Sequence, residues 1–248
     1  MPPEKPLAML ILVEANADLR SGKYTNAAAR YEWFHVHALE FSPHLQTIRR
    51  TTALTNWHAL AMKHPPAMAS LRRGQTVARE QVRAGENTVE SFLDFEAFNR
   101  LLNEPDATLE MFAWLVTEHP ESVERVIASV LPTLLKLKAH KMVAQFIRHP
   151  ENIIREARVK WRLSENMSRA VGRHDSKYEE TYANRAATII ALLVHGNRRH
   201  EAEKIAADLT RELRSAEFIR RVKIALDGTV PDFPLLNFPK SPPVNSPR

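Results

Sequence analysis

Histidine is the residue type in this sequence whose spacing first suggests chemistry, and the pair His35 and His37 is the most metal-like of the 11 histidines. Two residues apart on a helix point about 200° apart, whereas histidines that share a metal on a helix are three or four residues apart. We therefore expect His35 and His37 to be ordinary surface or interface histidines, and we predict no metal site.

Catalytic motifs are absent from the sequence: it has no nucleophile elbow, Walker loop, dinucleotide fingerprint or HExxH motif. It also has 0 Cys, which excludes disulfides and thiolate chemistry. His195 and His200 flank Gly196, and His174 precedes Asp175 in a predicted loop, but no acid–base pair is visible. We predict a non-enzymatic protein without catalytic residues, metal or cofactor. A hydrolase with an unrecognised site is an alternative.

Basic side chains are the second chemical feature, since the formal net charge is +6 and the pI is near 9.7. Such charge favours acidic partners and can contact phosphates. Glutamates are interleaved with the arginines, which is typical of solvated helical faces. Nucleic-acid binding is therefore possible but less favoured than protein binding. The basic residues concerned are Arg155, Arg158, Lys160, Arg162, Arg169, Arg198, Arg199, Arg211, Arg214, Arg220 and Arg221.

The chain reads as helical from end to end, because apolar residues recur at helical spacing and no stretch alternates as a strand does. Gly and Pro end the helices, and Pro132 should kink the helix around it or mark its start. We predict an all-α fold. After a first helix from Leu7 that stops before Gly22, the clearest predicted helices span about residues 25–41, 44–63, 67–84, 151–171, 178–195, 199–213 and 217–226.

A tight helical hairpin is indicated by Gly22, Tyr24, Ala27, Tyr31 and Pro43. Glycine supplies the left-handed residue after a helix, and a small alanine lets two helices approach closely. This pattern resembles the tetratricopeptide repeat, in which a turn residue is followed by an aromatic, an alanine, a second aromatic and a closing proline. Here Pro43 comes about one helical turn late, so the second helix is longer than in that family.

Two weaker repeats accompany the hairpin. Aligning Ala67 with Ala27 also aligns Asn56 with Asn16, which gives a step of forty residues, and Gly196 with Ala202 is a further echo. The resemblance implies a right-handed α-α superhelix, a solenoid of antiparallel hairpins over residues 1–228. The proline-rich segment 229–248 is predicted to be an extended or disordered tail.

In such solenoids the first helix of each hairpin lines a concave groove, so the resemblance implies a scaffold or adaptor that binds a protein or peptide. Polar residues in equivalent places should contact that partner. We expect a cytoplasmic protein with no membrane contact, although Lys5 and the apolar run at residues 7–13 leave a secretory signal open. The oligomeric state does not follow from the sequence. The predicted groove residues are Asn16, Arg20, Arg49, Thr52 and Asn56.

Overall fold

The computed structural model describes residues 7–170, 177–213 and 215–231, and every regular element in these ranges is helical. The all-α prediction is confirmed. The chain divides into two compact units, residues 1–126 and 127–248, a division that the sequence did not predict. Most of the predicted tail, from residue 232 onward, lies outside the described residues.

Unit 1 is built from helices that pack mainly on their neighbours in the sequence. α1 packs on α2, α2 also contacts α4 and α5, and α5 packs on α6, which contacts α7. The helix α8 begins in unit 1 and ends in unit 2. The elements are α1 (Leu7–Arg20), α2 (Tyr24–Phe41), a 3₁₀ turn (Pro43–Leu45), α3 (Gln46–Ile48), a π-helix (Arg49–Ala53), α4 (Leu54–Ala61), α5 (Pro65–Arg83), α6 (Thr88–Leu102), α7 (Pro105–Glu118) and α8 (Pro120–Lys136).

The first hairpin has the local structure that its residues predict. Gly22 has a φ of 73°, which a residue with a Cβ adopts only at a cost. Ala27 and Tyr31 are buried in α2, and Tyr24 is half-buried with its ring 5.9 Å from that of His64. Ala67, the proposed equivalent of Ala27, is also fully buried.

The predicted third helix, residues 44–63, is interrupted in the structure. Pro43 opens a 3₁₀ turn, in which Ser42 Oγ accepts a hydrogen bond of 3.3 Å from the His44 N–H, and a π-helix occupies Arg49–Ala53. A π-helix is a widened turn with hydrogen bonds between residues five apart, and it is often found at functional sites. Here the π-helix carries Arg49 and Arg50 toward α6, as described below.

Unit 2 is organised around one buried helix. Every residue of α11 from Ala186 to Leu193 is buried, and α11 packs on α9, α10, α12 and α13. A helix that is apolar on all sides belongs in a core. Pro132 lies inside α8 and does not mark its start. The elements after α8 are α9 (His140–Ala144), α10 (Pro150–Ala170), α11 (Lys177–His195), α12 (Arg199–Glu212) and α13 (Ala216–Leu226).

The second echo of the hairpin motif lies in unit 2, at the turn between α11 and α12. A Cβ at Gly196 would lie 3.0 Å from the Cβ of Ala144, so the glycine allows α9 to approach this turn closely. Ala202 is fully buried on α12. The burial of both alanine positions agrees with the motif, while the forty-residue repeat itself stays a prediction.

Candidate functional site

An open cleft of about 360 Å³ lies between α5, α6 and α7 of unit 1. Its volume falls within the range of small-molecule and peptide side-chain pockets. Buried apolar side chains form its floor, since Phe95 and Met111 are each 3% exposed, and charged side chains form its rims. Charged residues that line the cleft are Arg72, Arg79 and Arg83 on α5, Glu104 before α7 and Glu110 on α7.

One end of the cleft is fixed by a polar network around Glu104. Arg72 Nη1 forms an ion pair with Glu104 Oε1, and Gln75 Nε2 donates hydrogen bonds of 2.6 Å to both Glu104 Oε2 and Asn99 Oδ1. Burial alone would raise the pKa of Glu104, but the hydrogen bonds from Arg72 and Gln75 and the charge of Arg72 lower it below its usual value. Glu104 is therefore ionised and already occupied at neutral pH.

The other end of the cleft is fixed by an arginine on an aromatic ring. The guanidinium carbon of Arg83 lies 4.5 Å from the ring centroid of Trp114, which places the cation over the indole face. Such cation–π contacts contribute about 0.5–1 kcal/mol at exposed sites. This contact links the end of α5 to α7 and holds Arg83 at the rim.

Arg79 lies between these two ends and is the cation that the cleft leaves available. It is exposed, and it forms no ion pair with any of the residues that the structure describes. Arg79 lies four residues before Arg83 and seven after Arg72, so the three guanidiniums share one face of α5. A guanidinium beside an apolar floor can bind a carboxylate whose neighbouring side chain enters the cleft.

Gly74 allows the two walls of the cleft to approach each other. A Cβ at Gly74 would lie 2.7 Å from Phe98 Cζ, closer than real Cβ contacts. Phe98 is fully buried and packs against His35, with ring centroids 4.8 Å apart, and against Trp57 at 6.2 Å. The ring cannot move away easily, so only glycine fits at position 74 with α5 this close to α6.

The predicted groove residues Asn16 and Asn56 are brought together by the fold. Asn16 Oδ1 accepts a hydrogen bond of 2.9 Å from Asn56 Nδ2 and one of 2.6 Å from the Tyr31 hydroxyl. Burial raises the pKa of Tyr31 to about 12, with a smaller opposing effect of the Arg20 charge, so this hydroxyl stays a donor. The two asparagines therefore have partners within unit 1.

Arg49, a third predicted groove residue, lies in a buried ion pair. Its guanidinium donates to both carboxylate oxygens of Asp94, with Nη1–Oδ1 at 2.8 Å and Nη2–Oδ2 at 2.5 Å, and its Nε donates to the His35 carbonyl at 2.5 Å. Arg50 Nε also donates to Asp94 Oδ1, at 2.7 Å. Arg49 is 8% exposed and Asp94 7%, which indicates a role in packing α2, the π-helix and α6 together.

The remaining predicted groove residues, Arg20 and Thr52, are exposed. None of the five lines the cleft between α5 and α7, so the fold places them in at least two separate environments. Their ligand-binding role stays a prediction. The sequence signal for the cleft was the spacing of Arg72, Arg79 and Arg83, which the search for first-helix positions passed over.

The candidate histidines are also separated in the structure. His35 is buried, whereas the half-buried His37 contacts Glu40, with Nδ1–Oε1 at 3.0 Å. His195 lies with its ring centroid 4.8 Å from that of His140, and its Nε2 is 2.8 Å from the Gly228 carbonyl. No group of three or more His, Asp or Glu side chains within the described ranges can hold a metal ion. His174 and Asp175 lie outside those ranges.

Comparison of the chain with protein-family models, curated proteins and solved structures found no match in any of the three. Among the helices that the structure describes, none combines the length and apolar character needed to cross a membrane.

Proposed function

We propose that this protein is a non-enzymatic interaction scaffold whose unit 1 binds a peptide segment of another protein in the cleft between α5, α6 and α7. The cleft itself carries the proposal, because its floor is apolar, its ends are fixed and Arg79 lies unpaired between them within the described residues. That combination suits an acidic residue flanked by an apolar one. We also infer a cytoplasmic location.

The packing order of unit 1 supports a solenoid of tetratricopeptide type. Neighbouring helices α1 to α7 pack largely in sequence order, and solenoids of helical hairpins bind partners along such surfaces. We propose a right-handed superhelical course for these helices. The cleft lies toward the end of the series and not on α1 and α4, where the repeat alignment would place a groove.

Catalysis is less well supported by the cleft than binding. Glu104 is engaged by Arg72 and Gln75, and Glu110 is exposed on the other rim. A general acid or base needs a pKa near the working pH, and here the pKa of Glu104 is lowered. The carboxylates therefore suit positioning more than proton transfer.

The experiment is selection of a random peptide library on the purified full chain, followed by affinity measurement of the enriched peptides on variants. We expect enrichment of Asp or Glu next to an apolar residue. Arg79→Gln should weaken the enriched peptides about tenfold or more, which corresponds to about 1.4 kcal/mol. Ala107→Trp, which adds bulk to the cleft lining, should also abolish binding.

Arg73→Gln is the matched control, since Arg73 is exposed on the same helix and pairs at 3.4 Å with Glu32, outside the cleft. This variant should bind as wild type does. Enriched peptides that bind equally to the Arg79→Gln and Ala107→Trp variants would show that the cleft is not the binding site. Binding lost equally in Arg73→Gln would indicate a general charge effect.

A further inference from the structure

The two units carry opposite net charge. Unit 2 has 22 Lys and Arg against 13 Asp and Glu, a formal net charge of +9, whereas unit 1 has 13 against 16, a net charge of −3. Charge asymmetry between the halves of a chain is typical of proteins in which one half binds a polyanion. The basic character of the chain therefore belongs to unit 2.

A small aromatic pocket of about 130 Å³ lies between α10 and α11 of unit 2. Each helix contributes residues at matching intervals of three or four, so one face of each helix forms one wall. Trp161 of α10 stacks on Tyr182 of α11 with parallel rings, 5.2 Å between centroids. Tyr182 is 2% exposed, while Trp161 is half-buried and Tyr178 is 38% exposed at the rim.

Polar groups surround these rings on both walls. Ser164 and Thr181 contribute hydroxyls, and Lys160 contributes an exposed ammonium group that forms no ion pair within the part of the chain that the structure describes. Arg185 also lines the pocket. Aromatic faces with hydroxyls and a cation match a flat heterocycle that carries a phosphate.

Beside the pocket, α10 has more cationic than anionic partners. Arg158 and Arg162 share one carboxylate, that of Glu212, at 2.8 Å and 2.7 Å. One carboxylate neutralises only one of the two guanidiniums, so the pair adds positive charge to the surface. Exposed ion pairs of this kind contribute little, and a phosphate can replace the carboxylate as partner.

We propose that unit 2 binds single-stranded nucleic acid, with one base entering the pocket against Trp161 and Tyr178 and its phosphate meeting Lys160. The pocket volume suits one planar ring and not a paired duplex. This site is separate from the cleft of unit 1 and depends on different residues. The two activities can be tested independently on the same chain.

The test titrates the full chain into fluorescein-labelled single strands of oligouridine and oligothymidine, each about 15 nucleotides long, and follows fluorescence anisotropy. We expect binding that weakens steeply between about 50 and 200 mM salt. Lys160→Glu should lower the affinity about tenfold or more at low salt. Lys63→Glu, at an exposed lysine of unit 1, changes the net charge equally and should have little effect.

Stacking is tested by Trp161, the only tryptophan of unit 2. Trp161→Leu should lower the affinity about tenfold or more, while Trp161→Phe keeps an aromatic ring and should retain most of it. Tyr178→Ala provides a second, exposed position if the leucine variant fails to fold. Circular dichroism melts establish which variants are folded.

Four results would overturn the proposal: no binding of either strand at low salt, an equal loss of affinity in the Lys63→Glu control, unchanged affinity in the folded Lys160→Glu and Tyr178→Ala variants, or equal affinity for a duplex of the same length. Competition by uridine monophosphate separates two sources of the same chemistry. The proposed strand should outcompete the mononucleotide by at least about tenfold, because a strand adds further phosphate contacts. Equal potency of the mononucleotide would contradict strand binding.

Discussion

The side chains of Asn16 and Asn56, forty residues apart in the chain, are joined by a hydrogen bond of 2.9 Å. Asn16 Oδ1 accepts this bond while also accepting from the buried Tyr31 hydroxyl. A single amide oxygen thus joins α1, α2 and α4. Its removal leaves two donors without an acceptor.

Asn16→Ala should therefore lower the free energy of unfolding by about 1–3 kcal/mol, because an unsatisfied buried donor keeps its desolvation cost. Urea unfolding followed by circular dichroism measures this change. Asn26→Ala is the control, since Asn26 is exposed on α2 and should leave stability unchanged or slightly raised. Equal stability of the Asn16→Ala variant and wild type would show that the shared acceptor has no structural weight.

The buried ion pair gives the largest expected change. Asp94→Ala leaves Arg49 without its bidentate partner and Arg50 without one of its acceptors, so we expect a loss of about 3–5 kcal/mol. Glu32→Ala removes only the exposed contact with Arg73 and should cost less than about 1 kcal/mol. Chemical denaturation compares the two, and similar losses would contradict a buried role for Asp94.

The pH dependence of stability should carry a signature of His35. Burial, followed by the charges of Arg49 and Arg50, holds the pKa of His35 well below its ordinary 6.5. The unfolded chain then binds a proton that the folded chain does not, so stability falls as the pH drops below about 6.5. From about pH 6.5 to about pH 5.5 the expected loss is about 1 kcal/mol.

The measurement is the difference between wild type and His35→Gln across this range. Burial raises the pKa of Glu96 and lowers that of His140, and both groups are present in each protein, so the difference isolates His35. The wild-type curve should be the steeper one. Parallel curves would mean that His35 is protonated in the folded state.

Gly74→Ala should destabilise unit 1 although alanine is the better helix former. The added methyl would meet Phe98 Cζ at 2.7 Å, and overpacking of this kind costs about 1–3 kcal/mol. In a Phe98→Leu background, which removes the ring, the same change should be neutral or stabilising. Additive effects of the two substitutions in thermal melts would show that they do not interact.

Much of the helical order could be predicted from local signals. Proline opens α5 at Pro65, α7 at Pro105, α8 at Pro120 and α10 at Pro150, and glycine follows α1 at Gly22. These residues restrict the backbone whatever surrounds them, so helix ends agree with the predicted ranges within a few residues.

The candidate site could not be predicted in the same way, because it depends on contacts between distant elements. Arg49 looked like a surface residue, yet its partner Asp94 lies forty-five residues away on α6. Gly74 looked like a cost within a helix, and its purpose appears only when Phe98 is placed against it. A pattern of helical spacing identifies a face but does not say which neighbour covers it.

The π-helix Arg49–Ala53 sets the phase of everything that follows it on the same rod. Each residue of a helix turns the next by about 100°, so removing one residue here would rotate Leu54, Trp57 and Leu60 by that angle. All three are now within 2% of complete burial. The widened turn thus works as a rotational offset: it points two arginines at one carboxylate and, farther along, keeps the apolar side of α4 aligned with the core.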